Sequence, residues 1–185
     1  MVSRNCNEKQ YFMHYFKHTY LVVLAWKGIQ DILIKNNLIN EYEFNRINEL
    51  IIWHDNSKIS ESEWLPYARK FNPVGCQDKD KVEIEFKQAV RHHKCNNFHH
   101  FESLKNYTGS DWKCYIIEMI CDYIAMGWEF DSYIFDYYDS NKEKIDLPTL
   151  YQEYLDEVLN LLKDPSMHFI EEPLTPKRIS YLYFK

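Results

Sequence analysis

Leu50-Ile51-Ile52-Trp53-His54-Asp55-Asn56-Ser57-Lys58 runs an apolar tetrapeptide straight into an adjacent imidazole and carboxylate, with a lysine three residues after the aspartate. Read backwards, Phe44, Ile47, Ile51 and His54 recur at the three- and four-residue spacing of one helix face. The spacing predicts a helix over 41–54 whose apolar stripe His54 continues. A buried His-Asp pair places two metal-ligand types where solvent is scarce. Taken alone, the dipeptide is equally a core histidine bonded to its neighbour. The rest of the chain decides between these readings.

With 185 residues, 45% of them hydrophobic, the chain has the size and apolar content of one domain with a real core. Four glycines and six prolines supply few of the turns an all-β fold needs, and the expectation is an all-α, single-domain bundle. Fifteen tyrosines imply helix packing with polar tips at the rim. The net charge of −6 argues against a partner with a long phosphate backbone, so no long nucleic acid is expected. The longest apolar run, Tyr20 to Trp26, is too short for a membrane span. Met1 to Gln10 lacks the apolar core of a signal peptide. Five scattered cysteines without a CxxC pair read as free thiols in a reducing compartment, and the expected location is cytoplasmic.

In chain order, the pattern predicts a first helix over 11–35, with His18, Val22, Ala25, Ile29 and Ile32 on one face and His14 one turn earlier. Asn40 and Glu43 form a capping box for the helix over 41–54, and Ser60 with Glu63 repeats the signature before a short helix to Phe71. Asn72-Pro73-Val74-Gly75 is a loop. A helix over 80–94 carries Val82, Phe86, Ala89 or Val90, and His93. Residues 95–107 read as loop with at most a short helical turn. Ser110 caps a helix over 111–126, with Tyr115, Met119, Asp122 and Met126 on one face and Gly127 as its stop. A short helix over 131–138 and a last one from Pro148 to Lys163, through Leu150, Tyr154 and Val158, complete a domain over 1–163. Residues 164–185, rich in proline, are expected to strap across it as a tail.

Four helices thus each carry a group foreign to an apolar stripe: His18, His54 with Asp55, His93, and Asp122. A buried carboxylate is costly unless it is paired or bound to a cation. If these faces meet, a cation resolves the conflict. Half of the eight histidines lie between His92 and His100. His93 fits the stripe and His92 does not, whereas His99 and His100 follow a break where ring direction is not set by periodicity. Both remain candidate ligands. His14 reads as core or rim, Cys114 and Cys121 as packing, and His168 as a tail residue without partners.

The order His18, His54-Asp55, His93, His99/His100, Asp122 resembles the HD superfamily of metal-dependent phosphohydrolases. The segments HDNSKISESEWLPYARKF (54–71), HHKCNNFHHFES (92–103) and EMICDYIAM (118–126) are similar to a family of uncharacterised bacterial and phage proteins with HD-like motifs. The likeness covers 11–127. It implies that His18, His54, Asp55 and Asp122 hold one metal, with Asp55 bridging to a second held by His93 and His99 or His100. Nitrogen and carboxylate donors suit Mn, Fe, Co, Ni or Zn. It also implies hydrolysis of a nucleotide or small phosphate ester by a metal-activated water. Lys58, in the HDxxK position, would face the phosphate. Glu63 and Glu118 are further catalytic candidates, Glu118 alternatively orienting a ligand and Glu63 alternatively closing its capping box. Arg91 and Lys94 flank the histidines as candidate substrate-binding cations, or are merely solvated. The same ligands permit an oxygen-activating di-iron enzyme, or a module that keeps metal without turnover.

Overall fold

Asn7 starts the first helix by accepting a hydrogen bond from the Gln10 amide at 3.0 Å, one turn before the expected start. The computed structural model describes residues 6–133 and 135–163. Helix α1, Glu8–Lys35, buries Tyr11, Tyr15, His18, Val22, Ala25, Ile29 and Leu33 at spacings of three and four, the stripe of a core-facing helix. It stops where Asn37 turns left-handed at φ 56. The Leu38 amide then reaches back to the Leu33 carbonyl and the Asn37 amide to that of Ile34, both at 3.0 Å, which satisfies two terminal carbonyls.

Helix α2, Glu41–Ile52, opens with the expected capping box: Glu43 donates its amide to Asn40 Oδ1 at 2.9 Å, and Asn40 donates its own to Glu43 Oε2 at 2.8 Å. It ends two residues before the expected His54. Asp55 is left-handed at φ 57, a conformation no α-helix continues, and its carbonyl accepts from the Lys58 amide to begin a 3-10 turn, Asn56–Ile59. His54 keeps the direction of the stripe and is almost fully buried.

Helix α3, Trp64–Phe71, and helix α4, Lys79–Asn96, form a hairpin on one side. Tyr67 and Phe71 each meet Phe86 edge to face, with centroids 5.2 and 5.3 Å apart, and Arg69 pairs with Glu85 at 2.7 Å. Ser60 and Glu63 do not form the expected capping box, because the Glu63 carboxylate turns inward to imidazoles. Asp78 caps α4 through the amides of Asp80 and Lys81. The loop after α4 contains one short helix, α5, Phe101–Leu104.

Helix α6, Trp112–Glu129, is the centre of the bundle and is buried on nearly every side. Its cap residue is Asp111, not Ser110, and the Asp111 side chain is committed to Arg46 Nε at 3.0 Å and the Tyr42 hydroxyl at 2.9 Å. Gly127 does not stop it; the glycine is buried within the helix. The stop is Asp131, left-handed at φ 54, where the Ser132 amide reaches the Gly127 carbonyl at 2.9 Å. With Asp131 used there, the next helix is α7, Asp136–Asn141, later than the expected 131–138, followed by a 3-10 turn, Lys142–Lys144.

Helix α8, Thr149–Leu162, closes the bundle, with Pro148 at its cap position. Its buried face is Tyr151, Tyr154, Leu155, Val158, Leu159 and Leu162, so Leu150 is turned out to solvent, against expectation. Trp112 stacks on Tyr151 at 4.5 Å, and the Tyr154 hydroxyl donates to the Leu38 carbonyl at 3.0 Å. One apolar core joins α1, α2, α6 and α8. The fold is all-α. Among the described residues there is no strand, only an isolated bridge between Cys6 and Pro73, and no disulfide. No helix among them is long and apolar enough to cross a membrane. The expected strap over 164–185, with His168, lies outside the described residues.

Candidate metal centre

Asp55 sits where the inner faces of α1, α4, α6 and the loop before α5 converge, and its two oxygens look in different directions. Oδ1 faces Nε2 of His93 at 3.1 Å and of His99 at 3.3 Å. Oδ2 faces Nε2 of His18 at 3.7 Å and of His54 at 3.6 Å. Asp122 from α6 completes the second side, its Oδ1 lying 3.1 Å from His18 Nε2 and 3.9 Å from His54 Nε2. His100 joins Asp55, His93 and His99, with candidate donor atoms all within 4.8 Å of one another.

The Nε2 atoms of His18, His54, His93, His99 and His100, with Asp55 Oδ1, are buried and lack an aligned hydrogen-bond partner. Leaving a buried polar group unsatisfied costs about 1–3 kcal/mol. Six of them would rival the ~5–15 kcal/mol that holds a whole domain together. Metal–ligand bonds of about 2.0–2.2 Å put neighbouring donors roughly 3.0–3.5 Å apart. The donor spacing around Asp55 falls close to that range. These buried groups could hold a metal ion.

The far nitrogens of His18, His54, His93 and His99 each face a carboxylate. Glu118 Oε1 lies 3.0 Å from His54 Nδ1 and 3.2 Å from His99 Nδ1. Glu129 Oε2 lies 3.2 Å from His18 Nδ1, and Glu63 Oε2 lies 3.0 Å from His93 Nδ1. Each carboxylate favours a proton on Nδ1, so that the neutral ring turns its Nε2 lone pair inward, the arrangement by which carboxylates orient metal-binding imidazoles. Glu63 and Glu118 thus touch the backs of candidate ligands and act as positioning residues. Ser57 adds a hydrogen bond to Glu63 at 3.0 Å. His92 faces outward, as its place off the stripe predicts, and contacts the other oxygen of Glu63 at 2.6 Å.

The carboxylates packed among the rings favour positive charge in the cluster. Burial alone would push the imidazole of His18 down, but the facing carboxylates of Asp122 and Glu129 raise it to about 9. Burial likewise opposes protonation of His99, and Glu118 with Asp55 lifts it to about 10. Burial would raise the carboxyl of Asp55, but Lys58 and the imidazoles hold it well below the usual range. His100, further from any carboxylate, is pushed down by burial and by its neighbours His99 and His93.

Lys58 Nζ lies 2.5 Å from Asp55 Oδ2, and the Tyr11 hydroxyl donates to the Lys58 carbonyl at 2.8 Å. Lys58 and His18 both line a cavity of about 450 Å³, whose other walls are Tyr11, His14, Tyr15, Tyr67, Phe71, Asn72, Met126, Glu129 and Phe130. The cavity thus adjoins the cluster at His18, and Lys58 links its wall to Asp55. Arg91 and Lys94 are not part of it: Arg91 is exposed on α4, and Lys94 is paired with Glu102. His14, at the cavity rim, faces Glu129 Oε1 at 3.4 Å.

A model of DUF5662, a family of unknown function, matches residues 7–175. The chain belongs to that family. No curated protein and no solved structure matches it. The DUF5662 span contains every group of the cluster, the three glutamates behind it and the cavity. One functional residue of this DUF5662 chain escaped the sequence reading. Glu129 lies seven residues after Asp122 on the same face of α6, but Gly127 looked like the end of the helix. The periodicity 122, 126, 129 is the signal that would have found it.

Proposed function

We propose that the protein is a metal-dependent phosphohydrolase of the HD type, acting on a nucleotide or another small phosphate ester. The observation that carries this reading is the set of buried, unpartnered Nε2 atoms around Asp55, beside a cavity that presents Lys58. The ordered ligand set also resembles the HD superfamily. In this reading His18, His54, Asp55 and Asp122 would hold one divalent ion, and Asp55, His93, His99 and His100 would hold a second. Mixed imidazole and carboxylate donors suit Mn, Fe, Co, Ni or Zn. Bound ions of this kind generate a nucleophile from water at neutral pH and polarise a phosphoryl oxygen.

The chain's own groups do the rest. Glu118, Glu129 and Glu63 keep the protons of His54, His99, His18 and His93 on the outer nitrogens. Lys58 is kept charged by Asp55 and binds a non-bridging phosphate oxygen from the cavity side. Its backbone is tethered by Tyr11, so the ammonium is presented from a fixed loop. The aromatic walls exclude water from that contact and strengthen it. An oxygen-activating di-iron enzyme would use the same donors but gives Lys58 no task. A module that only keeps metal leaves the cavity without one.

Elemental analysis of purified protein, with a phosphate-release screen on the same sample, tests the proposal. Two transition-metal ions per chain and turnover that vanishes in a folded His54→Ala variant are expected. A fully loaded protein that releases no phosphate from mononucleotides, dinucleotides, cyclic nucleotides or sugar phosphates overturns it. Visible absorption from bound iron would point to the oxygenase instead.

A further inference from the structure

The cavity beside the cluster has a composition that narrows what it takes. Tyr11, Tyr15, Tyr67, Phe71 and Phe130 supply its walls, and Lys58 is the one lysine or arginine among the described lining residues. The Lys58 ammonium lies at the inner end, against Asp55, and 5.8 Å from the centre of the Tyr67 ring. Tyr67 itself is wedged between the site and the hairpin, edge-on to His93 at 6.3 Å and to Phe86 at 5.2 Å. Burial raises its hydroxyl to about 12, so it stays neutral. Glu129 adds a carboxylate to the same wall, mostly buried behind His18.

A volume of about 450 Å³ holds a small molecule and excludes a polymer. Positive charge is confined to the end that meets the cluster. A substrate with one phosphoryl group can place it there and lay a flat apolar body along the rings. A triphosphate directed into the cavity would lay its remaining charges against phenyl rings and Glu129. A sugar phosphate would offer no flat apolar face to cover the five aromatic rings.

From this we infer that the site takes a phosphomonoester of an aromatic group, held by Lys58 at the phosphate and by the tyrosine and phenylalanine rings at the ring, and discriminates against triphosphates and sugar phosphates. The inference rests on the phosphohydrolase reading for the direction of binding, and is tested without turnover.

The test is calorimetric titration of the metal-loaded full chain with three stable probes: benzylphosphonate, methylphosphonate and a non-hydrolysable adenosine triphosphate analogue. Burial of the phenyl ring should make benzylphosphonate bind at least about tenfold more tightly than methylphosphonate. It should also bind more tightly than the triphosphate analogue. In the double variant Phe71→Ala/Phe130→Ala, whose rings are both more than half exposed, the benzyl advantage should fall below about threefold with metal content unchanged. Lys58→Met should weaken both phosphonates by about tenfold or more. Equal binding of the two phosphonates, tighter binding of the triphosphate analogue, or no binding of any probe overturns the inference. Equal phosphonate binding alongside hydrolysis of sugar phosphates would sink it and leave the hydrolase reading standing. An aryl preference with no turnover of any ester would do the reverse.

Discussion

A single oxygen of Glu118 serves two histidines: Oε1 lies 3.0 Å from Nδ1 of His54 and 3.2 Å from Nδ1 of His99. In the proposed assignment those rings belong to different ions. Glu118→Gln should therefore loosen both, by the ~10–100-fold typical of lost carboxylate support. Among the proposed ligands Glu129 faces only His18, so Glu129→Gln should loosen one ion and spare the other. Competition with a chelator, read as two separate affinities, distinguishes the variants. Equal effects of both substitutions on both ions would break the assignment.

Asp55→Asn separates charge from backbone. Asparagine tolerates the left-handed conformation at φ 57, so the turn should form as before. The neutral amide no longer links the two halves of the cluster, and it leaves the part-buried Lys58 without its counter-ion. Metal content should fall from two ions to one or none, while the helical circular dichroism is retained. Two ions still bound at wild-type affinity would contradict the bridging role.

Metal loading should expel protons. His18, raised to about 9, and His99, raised to about 10, are protonated at neutral pH in the metal-free protein and must lose those protons to coordinate. Release measured by calorimetry in buffers of different ionisation heat should reach about two protons per chain near pH 7 and decline as pH rises through 9–10. The sign for the metal-free fold is the same. A raised folded pKa contributes stability that is fully present below about 6.5 and is lost as pH climbs through 9–10. Proton release that grows above pH 10 would refute this.

The helix α6 core should dominate stability. Ile120→Ala removes a fully buried side chain and should cost about 2–5 kcal/mol, whereas Leu150→Ala, at 58% exposure, should stay within about 0.5 kcal/mol. Denaturant titration of the two variants compares them directly.

That contrast also marks where the sequence was readable. His18, His54 and His93 each extend a stripe of apolar residues, so their burial was legible from spacing alone, whereas their meeting depended on how the helices pack. Leu150 was misplaced because α8 is apolar on more than one side, and its register is set by the stacking of its Tyr151 on Trp112 of α6. His99 and His100 gave no direction because they lie on a loop, whose path depends on the helices at its ends. Glu63 reads as a cap in sequence and serves as a buried acceptor in space. The strongest local signals, the Asn40–Glu43 cap and the break at Asn36-Asn37, held because their partners are within a few residues.

The left-handed turn at Asp55 puts two filters on one codon. The main chain there admits glycine, asparagine and aspartate with little penalty, and of these only aspartate brings a negative charge. A duplicated copy that had abandoned its chemistry could drift to asparagine or glycine at this one place and still fold. Such a copy would be recognisable as a retired one by that letter alone.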